Sequence, residues 1–102
     1  MPKLSVSIIR FVDECQPGIV ACEFIDANQR KHTLIDKVPI FSELSLWSDS
    51  LYPQPGTTDC RVLESFRDER GRELLRIISV ESVDGETEFV VERAQVSEDS
   101  AT

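Results

Sequence analysis

The chain has 102 residues, of which 40% are hydrophobic and 29% charged, and its formal net charge is −8. A chain of this length forms one domain, and these fractions exclude a wholly disordered protein. The excess of 19 acidic over 11 basic residues opposes binding to nucleic acid or to an anionic membrane surface.

Strands dominate the expected structure, because ten Val and eight Ile stand against four Ala, and β-branched residues favour pleated backbone. The first predicted strand, 4–12, alternates apolar and polar residues. Ile9 and Phe11 then break the alternation, which indicates either a β-bulge or a part of the strand that is buried on both faces. A turn at Gln16-Pro17-Gly18 follows, since proline fixes φ and glycine accepts positive φ.

The second and third predicted strands form a hairpin. Residues 19–26 place Val20, Cys22 and Phe24 on one face, Ala27-Asn28-Gln29 forms the loop, and 30–41 is extended again. Residues 42–57 then form an unusually long connection, in which a short helical turn capped by Ser42 is expected within 42–52.

The last three predicted strands cover 58–66, 72–83 and 86–96. A type I turn at 68–71 joins the first two, and Asp84-Gly85 predicts a two-residue hairpin between the last two. Six strands joined mainly by tight turns predict an all-β domain over 1–96, an antiparallel barrel of five or six strands. A two-sheet β-sandwich is the alternative. Residues 97–102 are expected to be a disordered polar tail.

The Asp84-Gly85 hairpin also predicts a register. It pairs Val80 with Phe89 and Ile78 with Val91 on the core face. The same register places Arg76 opposite Arg93, so a barrel rim, a bulge or an intervening carboxylate is expected there. The opposite face carries four acidic residues: Glu81, Glu86, Glu88 and Glu92.

The three cysteines indicate a reducing compartment. Cys15, Cys22 and Cys60 are an odd set without a CxxC pair, so free thiols in a cytoplasmic protein are expected. The residues after Met1 alternate instead of forming the apolar region of a signal peptide, and no run of about 18 apolar residues predicts a membrane span.

The sequence assembles no catalytic or metal-binding motif. It has one histidine, His32, and the spacing between His32 and the cysteines matches no compact zinc pattern. The arginines in 61–76 are balanced by five acidic residues between 59 and 73, so phosphate binding has little support. We therefore expect no enzyme, no cofactor and no metal.

Two features are candidates for binding a partner. Residues 81–102 hold seven acidic residues and only Arg93, and thus −6 of the net charge. The four glutamates of their outward face suit either a solvated, aggregation-resistant surface or a basic partner. Trp47 and Tyr52, in the long loop, suit either an end plug of the barrel or a binding surface.

The preferred hypothesis is a non-enzymatic interaction module that binds a protein partner, for example as an inhibitor or immunity-type protein of bacterial kind. The partner-binding residues would be Trp47, Tyr52 and the four glutamates, with a basic surface on the partner. The alternative is a nucleic-acid-binding barrel that stacks bases on Trp47 and Tyr52, which the acidic charge opposes. The sequence does not specify the oligomeric state.

Overall fold

The computed structural model describes residues 1–14 and 17–98. Within them the protein is all-β. The strands are β1 (Pro2–Asp13), β2 (Ile19–Ile25), β3 (Lys31–Lys37), β4 (Gln54–Asp59), β5 (Arg61–Arg67), β6 (Glu73–Ile78), β7 (Glu88–Glu92) and β8 (Val96–Glu98). One helical turn, α1 (Val38–Phe41), follows β3, and a 3-10 turn at Arg93–Gln95 precedes β8.

The strands form two antiparallel sheets. The first has the order β3-β2-β1-β4, and β8 pairs with the beginning of β1; the second has the order β5-β6-β7. A closed barrel is not confirmed, since the described strands divide into two hydrogen-bonded sheets, as in the two-sheet alternative.

The chain passes from one sheet to the other at Cys60. Residues 58–66 were expected to form one strand, but β4 ends at Asp59 and β5 begins at Arg61. The Cys60 N–H donates to the Pro2 carbonyl (3.0 Å), and its side chain is buried. The side chain at this bend packs in the interior, to which both sheets contribute.

A single core lies between the two sheets. Alternation in β1 buries Leu4, Val6 and Ile8, while Val20, Cys22, Phe24 and Leu34 come from β2 and β3. The second sheet supplies Leu75, Ile77, Phe89 and Val91. Each large apolar side chain buried in this way stabilises the fold by about 1.5–3 kcal/mol. The shared face predicted for β2 is confirmed.

The parity break in β1 is also confirmed. Its pairing with β2 shifts between Ile8 and Arg10 and again between Phe11 and Asp13. The extra residues bend this long strand, which pairs with β4 and β8 along its first part and with β2 along its second.

The helical turn lies earlier than the sequence predicted. It covers Val38–Phe41, and Ser42, expected as its N-cap, is the C-cap and donates its N–H to the Val38 carbonyl (3.0 Å). Pro39 favours this position, because the first turn of a helix does not need the N–H that proline lacks. The long connection is accordingly 42–53, since Gln54 already belongs to β4.

The register predicted for the β6–β7 hairpin is wrong by three residues. Phe89 lies opposite Ile77, and Val91 lies opposite Leu75, not opposite Val80 and Ile78. Arg76 therefore lies opposite Val90, not Arg93.

Two local features produce this shift. Ser82 donates its N–H to the Glu86 carbonyl (2.8 Å), so the loop has three residues, 83–85, with Gly85 at φ +81°. Ser79 in turn donates to the Thr87 carbonyl (3.0 Å), which leaves Val80 and Glu81 without counterparts on the opposite side. Asp84 does not share the positive φ of Gly85, so the two-residue turn is not formed.

Regular strand structure extends further along the chain than the sequence predicted, up to Glu98. Ser97 and Glu98, predicted to begin the polar tail, pair with Lys3 and Pro2 in β1. Residues 99–102 lie outside the described residues, as do Cys15 and Gln16 of the first predicted turn. Neither helical segment of the described chain has the length and apolar character that crossing a membrane requires.

Candidate functional site

The long connection 42–53 places two neighbouring apolar residues in opposite environments. Leu46 is 4% exposed and belongs to the core, whereas Trp47 is 54% exposed. Tyr52 is half-buried and packs against the core. Leu46 and Tyr52 therefore cover the interior, and Trp47 does not act as the end plug.

The backbone of Trp47 is fixed by three hydrogen bonds within the loop. Its N–H donates to the Ser50 hydroxyl (2.9 Å), and its carbonyl accepts from the Ser50 N–H (3.1 Å) and from the Tyr52 hydroxyl (2.8 Å). Because Tyr52 packs on the core, these bonds connect the exposed tryptophan to the body of the domain.

Two grooves share Trp47 and Pro17 as lining residues. The larger has a volume of about 470 Å³ and also contains Pro39, Leu44 and Glu43. The smaller, about 260 Å³, contains Phe11 and Glu14. We call the residues Phe11, Pro17, Pro39, Leu44 and Trp47 the Trp47 surface.

The charged residues of these grooves are acidic. Glu43 lines the larger groove, and Glu14, which accepts a hydrogen bond from the Ser48 hydroxyl (3.1 Å), lines the smaller. Within the described part of the chain, no lysine or arginine lines either groove. The Trp47 surface is thus an apolar area with carboxylates beside it.

The four glutamates of the predicted acidic face are distributed among different local structures. Glu86 forms an ion pair with Arg30 (3.1 Å), and Glu88 forms one with Arg76 (3.3 Å). Glu92 accepts from the Gln95 N–H as part of a capping box at the 3-10 turn. Glu81 is exposed, and the described residues give it no ion pair.

Arg76 compensates one glutamate of the predicted acidic face, Glu88. The Arg76 guanidinium also contacts Glu64 on β5 (3.2 Å), so it connects all three strands of the second sheet. The predicted juxtaposition of Arg76 and Arg93 does not occur, because Arg76 lies opposite Val90 and is paired with Glu64 and Glu88 instead.

A third groove, of about 610 Å³, is lined by three arginines, and two of them, Arg67 and Arg72, are paired within the protein. It lies between the β2–β3 loop and the β5–β6 turn. There Arg72 donates to Asp68 (2.8 Å) and to the Ala27 carbonyl (3.1 Å), and Arg67 donates to Gly71 (2.9 Å) and to Glu73 (2.9 Å). These two arginines hold the turns together, which gives little support to phosphate binding.

The described thiols are unsuited to nucleophilic chemistry. Cys22 and Cys60 are free and buried. Burial raises the pKa of the Cys22 thiol to about 12. Burial also raises the pKa of Cys60, and the nearby charges of Asp59 and Glu98 add to this effect. The reactive thiolate is therefore scarce at neutral pH.

His32 is a buried group whose environment the sequence analysis did not foresee. It is 1% exposed, and its Nε2 lies 2.7 Å from Asp26 Oδ2. The only sequence feature that could have indicated this contact is a histidine on the inward face of a strand, six residues after an aspartate. Among the described residues, no group of three or more His, Cys, Asp or Glu side chains is arranged to hold a metal ion.

The Trp47 surface is the candidate binding site on this geometry, because it combines an exposed aromatic residue with a fixed backbone. No protein-family model matches the chain, and neither a curated protein nor a solved structure shows significant similarity to it.

Proposed function

We propose that this protein is a non-enzymatic interaction module that binds a basic protein partner through the Trp47 surface. The observation that carries the proposal is the exposure of Trp47, which is 54%, beside the burial of Leu46. A tryptophan that is not needed for the core, yet is fixed by three hydrogen bonds, has the properties of an interface anchor.

The fixed loop lowers the entropic cost of binding. Ordering a flexible loop on association reduces affinity, whereas a loop already bonded to the domain avoids most of that cost. Aromatic residues that are pre-positioned in this way contribute strongly to interfaces because they bury a large area with few rotatable bonds.

Charge determines the kind of partner. Glu14 and Glu43 line the two grooves, and the whole chain carries −8. A partner with an apolar anchor and nearby Lys or Arg residues would be complementary, and its association would be accelerated at low ionic strength. Glu81 contributes to this long-range attraction, while Glu86, Glu88 and Glu92 mainly stabilise the fold through their ion pairs or the capping box. An inhibitor of a basic protein is one form that such a module takes.

A peptide-display selection tests the proposal. A random library is selected on the immobilised unaltered protein at low salt, and the enriched clones are then measured on Trp47→Ala without prior counter-selection. We expect enriched peptides to combine Lys or Arg with a large apolar residue. Their affinity for Trp47→Ala should be about 30-fold lower, as for a central aromatic anchor.

A matched control separates this site from general surface stickiness. Val83 is 55% exposed, as much as Trp47, but lies in the 83–85 loop. Val83→Ala should leave peptide affinity unchanged, and Glu43→Gln should weaken it mainly at low salt. Peptides that bind Trp47→Ala as well as the unaltered protein contradict the proposal. Retention of the protein by an immobilised single-stranded oligonucleotide would favour nucleic-acid binding instead.

A further inference from the structure

His32 connects the two sheets at a buried position. It lies on β3 opposite Phe24, and its ring centroid is 5.1 Å from that of Phe24 and 4.7 Å from that of Phe89 on β7. The aromatic rings exclude water from the imidazole, which is 1% exposed. The imidazole can therefore form hydrogen bonds only with the few polar groups of the protein that reach it.

One ring nitrogen has a well-defined partner. Nε2 lies 2.7 Å from Asp26 Oδ2, while Asp26 Oδ1 accepts the N–H groups of Asn28 (2.8 Å) and Arg30 (3.0 Å). An ionised carboxylate can only accept hydrogen bonds, so Nε2 carries a hydrogen and donates it to Asp26.

The other nitrogen has no hydrogen-bond partner among the described residues. Nδ1 is buried, and the nearest carboxylate oxygen that faces it, Glu86 Oε2, is 3.9 Å away. The second oxygen of Glu86 accepts from Arg30 (3.1 Å). The charged groups around the imidazole are thus Asp26 from the β2–β3 loop, Glu86 from the β6–β7 connection and Arg30, which acts through Glu86.

The neutral and protonated forms of His32 differ in the hydrogen bonding of Nδ1. In the neutral ring, the Nδ1 lone pair faces a carboxylate and stays unsatisfied, which is unfavourable in a buried site. In the protonated ring, Nδ1–H is a donor directed toward Glu86. Because the Glu86 side chain is 35% exposed, it has room to move the small distance that a charge-assisted hydrogen bond requires.

We propose that His32 forms a pH-dependent contact that fastens the 83–85 loop to β3. Glu86 ends this loop, and the Val83 N–H donates to the Thr33 carbonyl, beside His32 (2.9 Å). With His32 protonated, the Nδ1–H to Glu86 bond reinforces the Val83–Thr33 bond. With His32 neutral, the loop loses that support and opens more often.

Asp26 is ionised near neutral pH. Burial by itself raises the pKa of Asp26, but hydrogen bonds from His32, Arg30 and Asn28 together with the imidazole charge outweigh burial and hold that pKa below its ordinary value. A change in the loop near neutral pH is therefore attributable to the imidazole and not to Asp26.

Hydrogen exchange at the Val83 amide tests this contact. Its protection factor, corrected for the pH dependence of intrinsic exchange, is measured by NMR at pH 5.5 and pH 8. We expect it to be about tenfold higher at pH 5.5, as for one charge-assisted hydrogen bond that is partly exposed to water. The ¹⁵N shifts of the His32 ring, recorded in parallel, should show both nitrogens protonated at the lower pH.

Two variants make the test specific. Glu86→Gln removes the carboxylate and should abolish the pH dependence of Val83 protection. Arg30→Gln removes the ion pair to Glu86 but leaves the His32 contact, so the pH dependence should persist. The proposal is overturned if Val83 protection in the unaltered protein is the same at both pH values, or if Glu86→Gln retains the dependence.

Discussion

Leu46 and Trp47 are adjacent, yet they have opposite roles in stability. Leu46 is 4% exposed in the core, whereas the Trp47 side chain is mostly in solvent. Leu46→Ala should lower the free energy of unfolding by about 2–4 kcal/mol, because it leaves a cavity. Trp47→Ala should change it by no more than about 0.5 kcal/mol, as is usual for an exposed side chain.

Urea denaturation monitored by circular dichroism measures both changes. Trp47 is the only tryptophan, so its fluorescence reports its environment independently. We expect emission typical of a solvated indole and efficient quenching by iodide or acrylamide. A blue-shifted, protected emission, or a large loss of stability in Trp47→Ala, would show that Trp47 belongs to the core.

Cys22 illustrates how burial controls reactivity at a single residue. Its pKa is raised to about 12, so almost no thiolate is present at pH 8. We expect Cys22 and Cys60 to react with Ellman's reagent far more slowly in the native protein than in guanidinium, where all three thiols of the chain should be released. A Cys22–Cys60 disulfide in freshly purified protein would contradict the expectation of a reducing compartment.

At the scale of the element, the register of β6 can be tested by substituting two adjacent isoleucines. Ile77 is fully buried opposite Phe89, and Ile78 is 38% exposed opposite Glu88. Ile77→Ala should destabilise the protein by about 2–4 kcal/mol, and Ile78→Ala by less than about 1 kcal/mol. Thermal and urea unfolding give both values. The reverse order would restore the register in which Ile78 faces the core.

The same hairpin shows what the sequence can determine about an element. The alternation in β1 and β2 identified their buried faces and the bulge, because one face of each strand is strongly apolar. In the β6–β7 connection, a three-residue loop and the unpaired Val80 and Glu81 moved the register by three. Both Ile77 and Ile78 are apolar, so the pattern did not distinguish the two alignments.

Long-range contacts account for the other differences between elements. The break at Cys60 depends on its hydrogen bond to Pro2, 58 positions earlier in the chain. The pairing of β8 likewise depends on the beginning of β1. Local propensity carries no information about such partners, so the sequence suggested one long strand and a free tail.

At the scale of the whole molecule, the acidic charge is partly compensated in a way that composition conceals. Arg76 lies between Glu64 and Glu88, and Arg30 contacts Glu86, so cations from earlier in the chain compensate two of the C-terminal glutamates. The sequence identified Trp47 as a candidate for binding a partner. It did not predict whether Trp47 faces the core or solvent, because that depends on Leu46 and Tyr52 occupying the interior.

Asp26 connects charge to stability at this whole-molecule scale, because the loop it organises contacts both sheets. Its carboxylate accepts from His32, Asn28 and Arg30, and the adjacent Ala27 N–H donates to the Val90 carbonyl of β7 (2.8 Å). Although burial raises the pKa of Asp26, those hydrogen bonds lower it by more, so the folded pKa lies below the unfolded one. The stabilisation is therefore complete above the unfolded pKa, near 4, and is lost as pH falls through the folded value.

Asp26→Asn should thus lower the free energy of unfolding by about 1–3 kcal/mol at pH 7, as for a hydrogen-bonded buried carboxylate. The difference from the unaltered protein should shrink as the pH is lowered below about 4, because Asp26 is then progressively protonated in the folded protein and resembles the amide. Urea unfolding at pH 7, 4 and 2.5 measures this convergence, and Glu81→Gln, which alters an exposed acid without an ion pair among the described residues, serves as the control. A difference that stays constant down to pH 2.5 would mean that the charge of Asp26 does not stabilise the contact between the sheets.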